Sequence, residues 1–300
     1  MPKAESLNKG SLHLIIYYDK VYDKVSTKNK QMKLLALDID GTLVNSQHQV
    51  TTPVRDALLE AQRTRNLRII LASGRPTAAL RQLVQLLELE RYGGYLLPYN
   101  GGKAIELSTG RTLHAQLLSQ DLLPQIDHLI KSHDVDVLSY TEENILIETA
   151  ANEYAQKEID ITGMSLKVLP DFMNTFTEPL PKCLAVGPTE KLIRLEVALK
   201  RELGQYIDAF RSSDIFLEIV PHGVNKGTAL ASLLEILGKT SKDLIAIGDN
   251  YNDVEMLRLA ETSIAMGNAP KDIQQLATFV TKTNNEDGVA YALEHFLFPS

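Results

Sequence analysis

The apolar and polar positions of this chain follow two different rhythms, and the first alternates short apolar runs with amphipathic segments. Apolar runs at 33–39, 68–73 and 94–100 are typical of buried strands. Between them, residues 51–66 and 77–89 have the character of helices, with apolar side chains recurring every three to four positions in the first. Strands that alternate with helices in this way are typical of a parallel sheet covered by helices.

The same rhythm returns in the last third of the chain. Strands are predicted at 244–249, 263–267 and 279–283, and helices at 224–238, 252–260, 270–277 and 287–296. The two blocks together predict an α/β fold whose core is a Rossmann-like, doubly wound parallel sheet.

The second rhythm, between these blocks, mixes hairpin, strand and helix patterns without regular alternation. A hairpin is predicted at 103–118, strands at 135–140, 144–150, 182–187 and 215–220, and helices near 119–133, 151–158 and 189–203. This stretch is long enough for a small α+β domain with its own core. We therefore expect a core domain of residues 32–104 and 222–300, interrupted by an inserted domain of residues 105–221.

Residues 1–31 stand outside both rhythms and are rich in Lys, Asn, Ser and Tyr. Because Met32 directly precedes the first clear strand, one interpretation is a leader that comes from an upstream start codon or was added to the chain. The alternative is an extra edge strand at 12–18, since short apolar runs are ambiguous.

Composition narrows the class of protein. The net charge of −7 and the pI near 5.6 argue against a protein that coats nucleic acid. Cys183 is the only cysteine, which excludes an intrachain disulfide and a thiolate metal cluster and fits a reducing compartment. No apolar run approaches the roughly 20 residues that span a bilayer, and no signal-peptide cleavage site follows 12–18. We expect a cytoplasmic protein without a membrane partner.

Reactive side chains stand at the carboxyl ends of the predicted strands, where ligands bind in open parallel sheets. They are Asp38, Asp40, Ser73, Asp249 and Asp253, joined by Lys226 at the start of a helix. A group of carboxylates without His or Cys suits a hard divalent cation, Mg²⁺ first. With a hydroxyl and an ammonium group added, the same site can hold a phosphoryl group.

Four ordered motifs give this chain a resemblance to a known family. DIDGTL (38–43), Ser73 within LASGR, Lys226 within GVNKG, and GDNYND (248–253) resemble the four motifs of the haloacid dehalogenase-like (HAD) hydrolases. The position of the insertion, between the third strand and the lysine, looks like the C2B-type cap of the Cof-type phosphatase branch. The match runs from Met32 to the end of the chain.

The resemblance implies a catalytic role for each motif. Asp38 would be the nucleophile that becomes an aspartyl phosphate. Asp40 would be the general acid for the leaving alcohol and then the base that activates water. Ser73 and Lys226 would hold the transferring phosphoryl group.

The resemblance also implies ligands for metal and substrate. Mg²⁺ would be bound by Asp38, the backbone carbonyl of Asp40 and Asp249, with Asn252 or Asp253 in support. The proposed substrate-binding residues are Gly41, Thr42, Arg75 and Asn100. Arg75 and Asn100 each have an alternative role, because Arg75 can pair with a surface acid and Asn100 can form a turn with positive φ.

The sequence thus predicts a Mg²⁺-dependent phosphatase of small phosphorylated metabolites such as sugar phosphates. Two alternatives stay open: a phosphomutase similar to phosphomannomutases, and a non-enzymatic phospho-receiver or metabolite sensor. The expected partner is a small phosphorylated metabolite, with no nucleic acid and no membrane, and the protein would be a monomer or homodimer.

Overall fold

The computed structural model describes residues 32–297, so the predicted leader, with its candidate edge strand at 12–18, lies outside the described residues. The strands are β1 (Lys33–Leu37), β2 (Leu67–Ala72), β3 (Tyr95–Leu97), β4 (Lys103–Glu106), β5 (Arg111–Ala115), β6 (Asp136–Tyr140), β7 (Asn144–Ile147), β8 (Ser165–Val168), β9 (Cys183–Val186), β10 (Ile207–Ser213), β11 (Phe216–Pro221), β12 (Leu244–Gly248), β13 (Thr262–Ala265) and β14 (Phe279–Val280). The helices are α1 (Thr52–Arg65), α2 (Arg81–Leu86), α3 (Leu123–Ser132), α4 (Glu153–Thr162), α5 (Phe172–Thr175), α6 (Thr189–Leu203), α7 (Lys226–Ile236), α8 (Val254–Leu259), α9 (Lys271–Leu276) and α10 (Gly288–Ala292).

The first sheet has eight strands in the order β14-β13-β12-β1-β2-β3-β4-β5. The strands from β14 to β3 are parallel, and the hairpin β4–β5 adds an antiparallel edge. The chain builds outward from β1 through β2 and β3 on one side, and later from β12 to β14 on the other. The direction of winding therefore reverses between β1 and β12, where open α/β sheets bind their ligands.

The central strands are apolar on both faces because both faces are covered. Leu34, Leu35 and Leu37 of β1 are fully buried, which explains the unbroken apolar run in the sequence. On one face, Leu35 and Leu37 share a core with Val54 and Leu58 of α1. Each fully buried leucine contributes about 2 kcal/mol of hydrophobic stabilisation.

The second sheet has six strands in the order β10-β11-β9-β6-β7-β8. It is antiparallel except for the pair β7–β8. It is formed by the segment between the two blocks of the first sheet, and residues 116–221 are called the insert below. Helices α3 and α6 cover one face of this sheet, around a core that includes Ile126 and Leu195.

The predicted class, an α/β fold with a doubly wound core and an inserted α+β unit, is confirmed. The predicted start of the insertion at 105 is wrong, because this position lies inside β4. Ile105 pairs with Leu96 of β3 and is buried in the core of the first sheet. The hairpin β4–β5 therefore extends the first sheet, and the second sheet begins only with β6.

Three local differences have physical reasons. The predicted helix at 77–89 is a 3-10 turn at Ala78–Leu80 followed by the short α2. Strand β8 has no apolar run because three of its four residues are exposed. Strand β10 buries Ile207 and Ala209 but ends in polar, exposed residues, so neither strand was predicted.

Candidate active site

The loop after β1 brings the first carboxylates to the edge of the sheet. The N–H of Asp38 still donates to the carbonyl of Ile247 at 3.0 Å, which holds Asp38 at the boundary between β1 and β12. Asp38 is buried, whereas the side chain of Asp40 is 48% exposed. Gly41 has a φ of +84°, and a Cβ there would lie 2.3 Å from a carboxylate oxygen of Asp249. Both the backbone and the available space therefore require glycine at 41.

A buried lysine joins two carboxylates from different segments. The Nζ of Lys226 donates to Asp38 Oδ1 at 2.5 Å and to Asp253 Oδ1 at 2.6 Å, and Lys226 is fully buried. Lys226 is the first residue of α7, where the helix dipole disfavours a positive charge. The helix begins there because Asn225 caps it and forms a capping box with Thr228. The two carboxylates then compensate the lysine.

Asp253 also fixes the turn that follows β12. Its Oδ2 accepts the backbone N–H groups of Asp249 at 2.9 Å and Asn250 at 3.0 Å. A Cβ at Gly248 would lie 2.6 Å from the Asp253 carboxyl carbon, so the end of β12 must be glycine. Both oxygens of Asp253 are thus engaged, one with Lys226 and the other with the turn.

Asp249 is held by side chains from two further loops. Thr42 Oγ1 donates to Asp249 Oδ1 at 3.2 Å. Asn268 Nδ2 donates to Asp249 Oδ2 at 3.2 Å and to the carbonyl of Gly41 at 2.9 Å, and Asn268 Oδ1 accepts the N–H of Asn284. Asn268 was not among the residues predicted from the sequence. It stands just after β13, and extending the strand-end rule to that strand would have found it.

The site carries more negative than positive charge. Oxygens of Asp38, Asp249 and Asp253 lie within 4.8 Å of one another. Burial, together with the charge of Asp253, raises the pKa of Asp38 to about 8 and that of Asp249 to about 6. Burial alone would lower the pKa of Lys226, but the charges of Asp253 and Asp38 outweigh it and raise that pKa above its ordinary value. These shifts share one cause, three carboxylates around one ammonium in a site with little water.

The donor set fits a hard divalent cation. Asp38 Oδ2 is buried and has no hydrogen-bond partner among residues 32–297. An unpaired carboxylate oxygen is costly in a low-dielectric site, and an excess of carboxylates adds to that cost. Oxygen ligands of this kind suit Mg²⁺ or a similar ion. Asp38 and Asp249 are placed to supply such ligands.

Asp40 turns away from the buried cluster and pairs with Arg75. Arg75 Nε donates to Asp40 Oδ2 at 2.8 Å, and Arg75 Nη2 donates to Oδ1. His48 Nδ1 lies 3.9 Å from Asp40 Oδ1. The backbone N–H of Arg75 also donates to Ser73 Oγ at 3.1 Å, so the Ser73 side chain holds the backbone of its own loop after β2. Arg75 therefore forms an ion pair with an exposed acid, as in its alternative role, and that acid is Asp40, itself a predicted site residue.

Asn100 connects the loops after β2 and β3. Its φ is +55°, as expected for the turn alternative, and its N–H donates to the carbonyl of Ser73 at 2.8 Å. Its side chain nevertheless faces the site, because Oδ1 accepts Asn252 Nδ2 at 3.2 Å. A Cβ at Gly74 would lie 3.2 Å from the same amide group. The two alternatives for Asn100 are thus compatible.

Known proteins share the sequence of this chain over most of its length. The sequence model of the haloacid dehalogenase-like hydrolases matches residues 35–293. The chain belongs to this family. The HMP-PP phosphatase of Serratia proteamaculans is 30% identical over 272 residues, which cover 88% of this chain and 95% of that protein. The 5-amino-6-(5-phospho-D-ribitylamino)uracil phosphatase YcsE of Bacillus subtilis is 26% identical over 273 residues, which cover 91% of this chain and 99% of that protein.

A solved HAD-like hydrolase from Bacteroides thetaiotaomicron has a fold similar to that of this chain. It is 37% identical, with a TM-score of 0.85 over 89% of this chain and 100% of that one. The predicted membership of the HAD hydrolases and their Cof-type branch, and the predicted class of enzyme, are confirmed. Within residues 32–297, no helix has the length and apolar character needed to cross a membrane.

Proposed function

We propose that this HAD hydrolase is a Mg²⁺-dependent phosphatase of small phosphorylated metabolites, sugar phosphates or similar compounds, and that it acts through an aspartyl phosphate. The observation that carries the proposal is the buried contact between Asp38 Oδ1 and Lys226 Nζ, at 2.5 Å, beside the carboxylate of Asp249. Both relatives named above are called phosphatases, which supports the same class of reaction.

Asp38 is the proposed nucleophile. Its Oδ1, held at the Lys226 ammonium, is the oxygen that attacks phosphorus, while Oδ2, which has no hydrogen-bond partner in the described part of the chain, is left for the cation. A bond forms from Oδ1 to phosphorus, while the bond from phosphorus to the ester oxygen breaks and its electrons leave with the alcohol. Lys226 faces the oxygens of the transferring phosphoryl group and stabilises their charge.

Asp40 is the proposed proton donor to the leaving alcohol, and afterwards the base for the water that cleaves the aspartyl phosphate. Arg75 occupies both oxygens of Asp40. Substrate binding therefore has to separate this pair before Asp40 can reach the ester oxygen. The released guanidinium is then close to the substrate, which supports a binding role for Arg75. Water attack returns the Asp38 carboxylate and releases inorganic phosphate.

The remaining phosphoryl contacts come from three loops. Ser73 Oγ accepts the N–H of Arg75, which leaves the Ser73 O–H as a donor to a phosphoryl oxygen. The loop at Gly41 and Thr42 offers backbone N–H groups next to Asp38. The side-chain amide of Asn100, just after β3, is the third proposed contact to the phosphoryl group.

The proposed Mg²⁺ ligands are Asp38, Asp249 and the backbone carbonyl of Asp40, with Asn252 in support. When bound, the ion neutralises the surplus of carboxylate charge and draws electron density from the phosphoryl oxygens. The engaged oxygens of Asp253 favour an indirect role, in which it holds Lys226 and the turn that carries Asp249.

We propose that the insert is a cap that closes over the site. Two contacts with the loops of the first sheet support this. Lys182 Nζ donates to the carbonyl of Gly74 at 3.2 Å. The ring of Tyr140 packs against Tyr99, with the ring centroids 5.9 Å apart. Because water must be excluded during attack on phosphorus and admitted afterwards, we expect the cap to open and close in each turnover.

The test is a panel of phosphorylated metabolites incubated with Mg²⁺ or with EDTA, with released phosphate and sugar isomers both counted. We expect phosphate release that depends on Mg²⁺. Isomer formation without free phosphate would favour the phosphomutase, and a long-lived acyl phosphate without turnover would favour the receiver. The cytoplasmic location and the monomeric or homodimeric state stay predictions from the sequence.

A further inference from the structure

The loop after β3 has a backbone conformation that tyrosine rarely adopts. Three successive residues, Tyr99, Asn100 and Gly101, have φ values of +56°, +55° and +95°. Asn and Gly accept the left-handed region readily, whereas in other residues Cβ then comes too close to the following carbonyl oxygen. The strain therefore falls on Tyr99, and its conformation persists only because the surrounding structure holds it.

The ring of Tyr99 is held by the insert. Tyr99 is 1% exposed and belongs to an apolar cluster whose other buried members, among the residues that the structure describes, all come from the insert. The centroid of its ring lies 5.9 Å from that of Tyr140, at an interplanar angle of 51°. Burial of a large aromatic ring is strongly favourable and opposes the strain of the backbone. The side chain of Tyr99 thus lies in a core of the insert, while its backbone belongs to a loop of the first sheet.

This strained backbone holds the loop after β2. The N–H of Tyr99 donates to the carbonyl of Arg75 at 3.1 Å, and the N–H of Asn100 donates to the carbonyl of Ser73 at 2.8 Å. The directions of these N–H groups are set by the dihedral angles at and beside Tyr99. Both carbonyls belong to residues of the proposed site, Ser73 as a phosphoryl contact and Arg75 as the partner of Asp40.

The same backbone places the side chain of Asn100. Asn100 Oδ1 accepts Asn252 Nδ2 at 3.2 Å, so the amide is fixed between two loops of the site. Because Asn100 directly follows Tyr99, its amide moves if Tyr99 leaves the left-handed region. Tyr99 therefore acts on the site through its backbone, while its ring lies in the insert.

We propose that Tyr99 is a positioning residue for the phosphoryl transfer: the insert holds its ring, and the left-handed backbone that results positions Asn100 and the loop with Ser73 and Arg75. This inference rests on the proposed phosphatase function. It couples the packing of the insert to the geometry of the site. The opposing interpretation is that Tyr99 only fills the apolar cluster, so that its backbone conformation has no consequence for the reaction.

The test separates the ring from the backbone by two substitutions at the same position. Tyr99→Ala removes the ring but keeps Cβ, so the left-handed region stays unfavourable and the insert no longer holds it. Tyr99→Gly removes both, so the left-handed region becomes accessible again. With saturating Mg²⁺, we expect kcat for phosphate release from phenyl phosphate to fall about tenfold or more in Tyr99→Ala, because the site loops are misplaced. The kcat of Tyr99→Gly should exceed that of Tyr99→Ala about fivefold, because glycine avoids the steric cost of the left-handed region.

A role in filling the cluster predicts a different order. Alanine and glycine both leave the space of the ring empty, and glycine adds freedom to the unfolded chain. Equal kcat values in the two variants, or a lower kcat in Tyr99→Gly, therefore overturn the inference.

The matched control is the same pair of substitutions at Asp134, in the turn after α3. Asp134 also has a positive φ, +52°, but its side chain is 90% exposed and pairs with Lys191. Asp134→Ala and Asp134→Gly should both have the kcat of the unmodified protein. This control shows that glycine at a left-handed position does not by itself raise kcat.

A substitution in the insert tests the contact from the other side. Tyr140→Leu keeps an apolar side chain in the cluster but removes the ring that packs against Tyr99. We expect it to lower kcat about threefold or more when Tyr99 is present, and to change kcat less than about twofold when Tyr99→Gly is already present, because no ring is then left to hold. An equal loss in both backgrounds, or no loss in either, overturns the inference.

The outcomes separate this inference from the function on which it rests. If the unmodified protein releases no phosphate from phenyl phosphate or from any ester of the metabolite panel, the phosphatase proposal fails and takes the inference with it. If phosphate is released but Tyr99→Ala and Tyr99→Gly have equal kcat values, the inference alone fails. Should circular dichroism show that neither variant at 99 folds, Tyr140→Leu decides: an unchanged kcat overturns the inference, and the expected loss in a folded protein supports it.

Discussion

Two lysines are buried among the described residues, Lys226 beside the first sheet and Lys182 in the insert. Lys226 contacts two carboxylates, with Asp249 adding a third nearby. Lys182 pairs with one carboxylate, that of Glu218, donates to a backbone carbonyl and lies over the ring of Tyr140. The same side chain, buried in both places, thus lies in one site with a surplus of negative charge and in one where a single carboxylate matches its charge.

The difference separates a region with surplus negative charge from a region without it. A site with surplus carboxylates is suited to a metal ion and a phosphoryl group together, because the charges of cation and anion then compensate. A buried ammonium that is matched by one carboxylate leaves no such surplus. The proposed bond-breaking step therefore belongs to the first region, while the second region holds a matched ion pair where the insert meets the loop after β2.

The largest effect is expected from a substitution in the first region. Asp38→Asn removes the proposed nucleophile. We expect kcat to fall about 1,000-fold or more for every ester, because the remaining catalytic groups cannot replace a missing nucleophile. The fold should survive, since Lys226 keeps its contact with Asp253. Phosphate release reports kcat, and circular dichroism reports the fold.

The matched control for that variant is Asp56→Asn. Asp56 lies on the exposed side of α1 and pairs with Arg55, so its kcat should equal that of the unmodified protein. If Asp38→Asn released phosphate at an undiminished rate, the nucleophile would be another residue and the assignment of bond breaking to this cluster would be wrong.

The next prediction compares the two lysines directly. Breaking a buried ion pair costs about 3–5 kcal/mol, because the partner charge is left unpaired in the interior. Lys226→Met leaves two carboxylates and Lys182→Met leaves one, so we expect both to lower the free energy of unfolding, and Lys226→Met more. Urea unfolding in EDTA measures this without a stabilising cation.

Lys200→Met is the surface reference for this comparison. Lys200 pairs with Glu196 on α6 and is 55% exposed, and exposed pairs contribute at most about 1 kcal/mol. If Lys182→Met were no more destabilising than this reference, the ion pair with Glu218 would not be the buried contact described, and the contrast between the two regions would lose its basis.

The same two lysines show what the sequence can predict. Lys226 and Asp249 were found because parallel strands deliver their carboxyl ends to one edge, so position in the chain implies position in space. Lys182 opens an apolar strand and has the pattern of a solvated terminal residue. Its burial depends on β9 lying beside β11, and antiparallel strands have no crossover rule that fixes their order.

Other contacts could not be predicted from the sequence for the same reason. The α/β class follows from alternation along the chain, but the hairpin β4–β5 carries no sign of which sheet it joins. The contact between Asp40 and Arg75 depends on the path of two loops, and Asn268 acts through a side-chain amide that many loops contain. Residues at the ends of regular elements were thus predictable, and contacts between loops were not.

The third prediction concerns the charge surplus itself. Because burial and the charge of Asp253 raise the pKa of Asp38 to about 8, the folded state holds a proton that the unfolded chain releases near pH 4. Without metal, the free energy of unfolding should therefore fall as pH rises from 6 to 8. Saturating Mg²⁺, at about 100 times its Kd, should restore about 2.7 kcal/mol. Thermal unfolding in EDTA and in Mg²⁺ at both pH values measures this.

Asp249→Asn is the variant that sharpens this result. It removes a proposed ligand but leaves the contact of Asp38 with Lys226, so Mg²⁺ should raise its melting temperature much less than that of the unmodified protein. An equal Mg²⁺ shift in both proteins would place the cation elsewhere, for example at exposed acids, and the surplus of carboxylates in the first region would then have another explanation.

The smallest expected effect tests Asn268, the residue that ties Asp249 to the carbonyl of Gly41. Asn268→Ala keeps every proposed ligand but frees both the carboxylate and the loop that it orients, and loss of such outer contacts typically weakens a metal site 10- to 100-fold. We expect the Kd for Mg²⁺, measured by calorimetry, to rise about tenfold. Gln125→Ala on α3, whose amide donates to the carbonyl of Asp121 far along the chain from the site residues, should leave the Kd as it is. An unchanged Kd in Asn268→Ala would mean that Asp249 is positioned by Thr42 and its own turn alone.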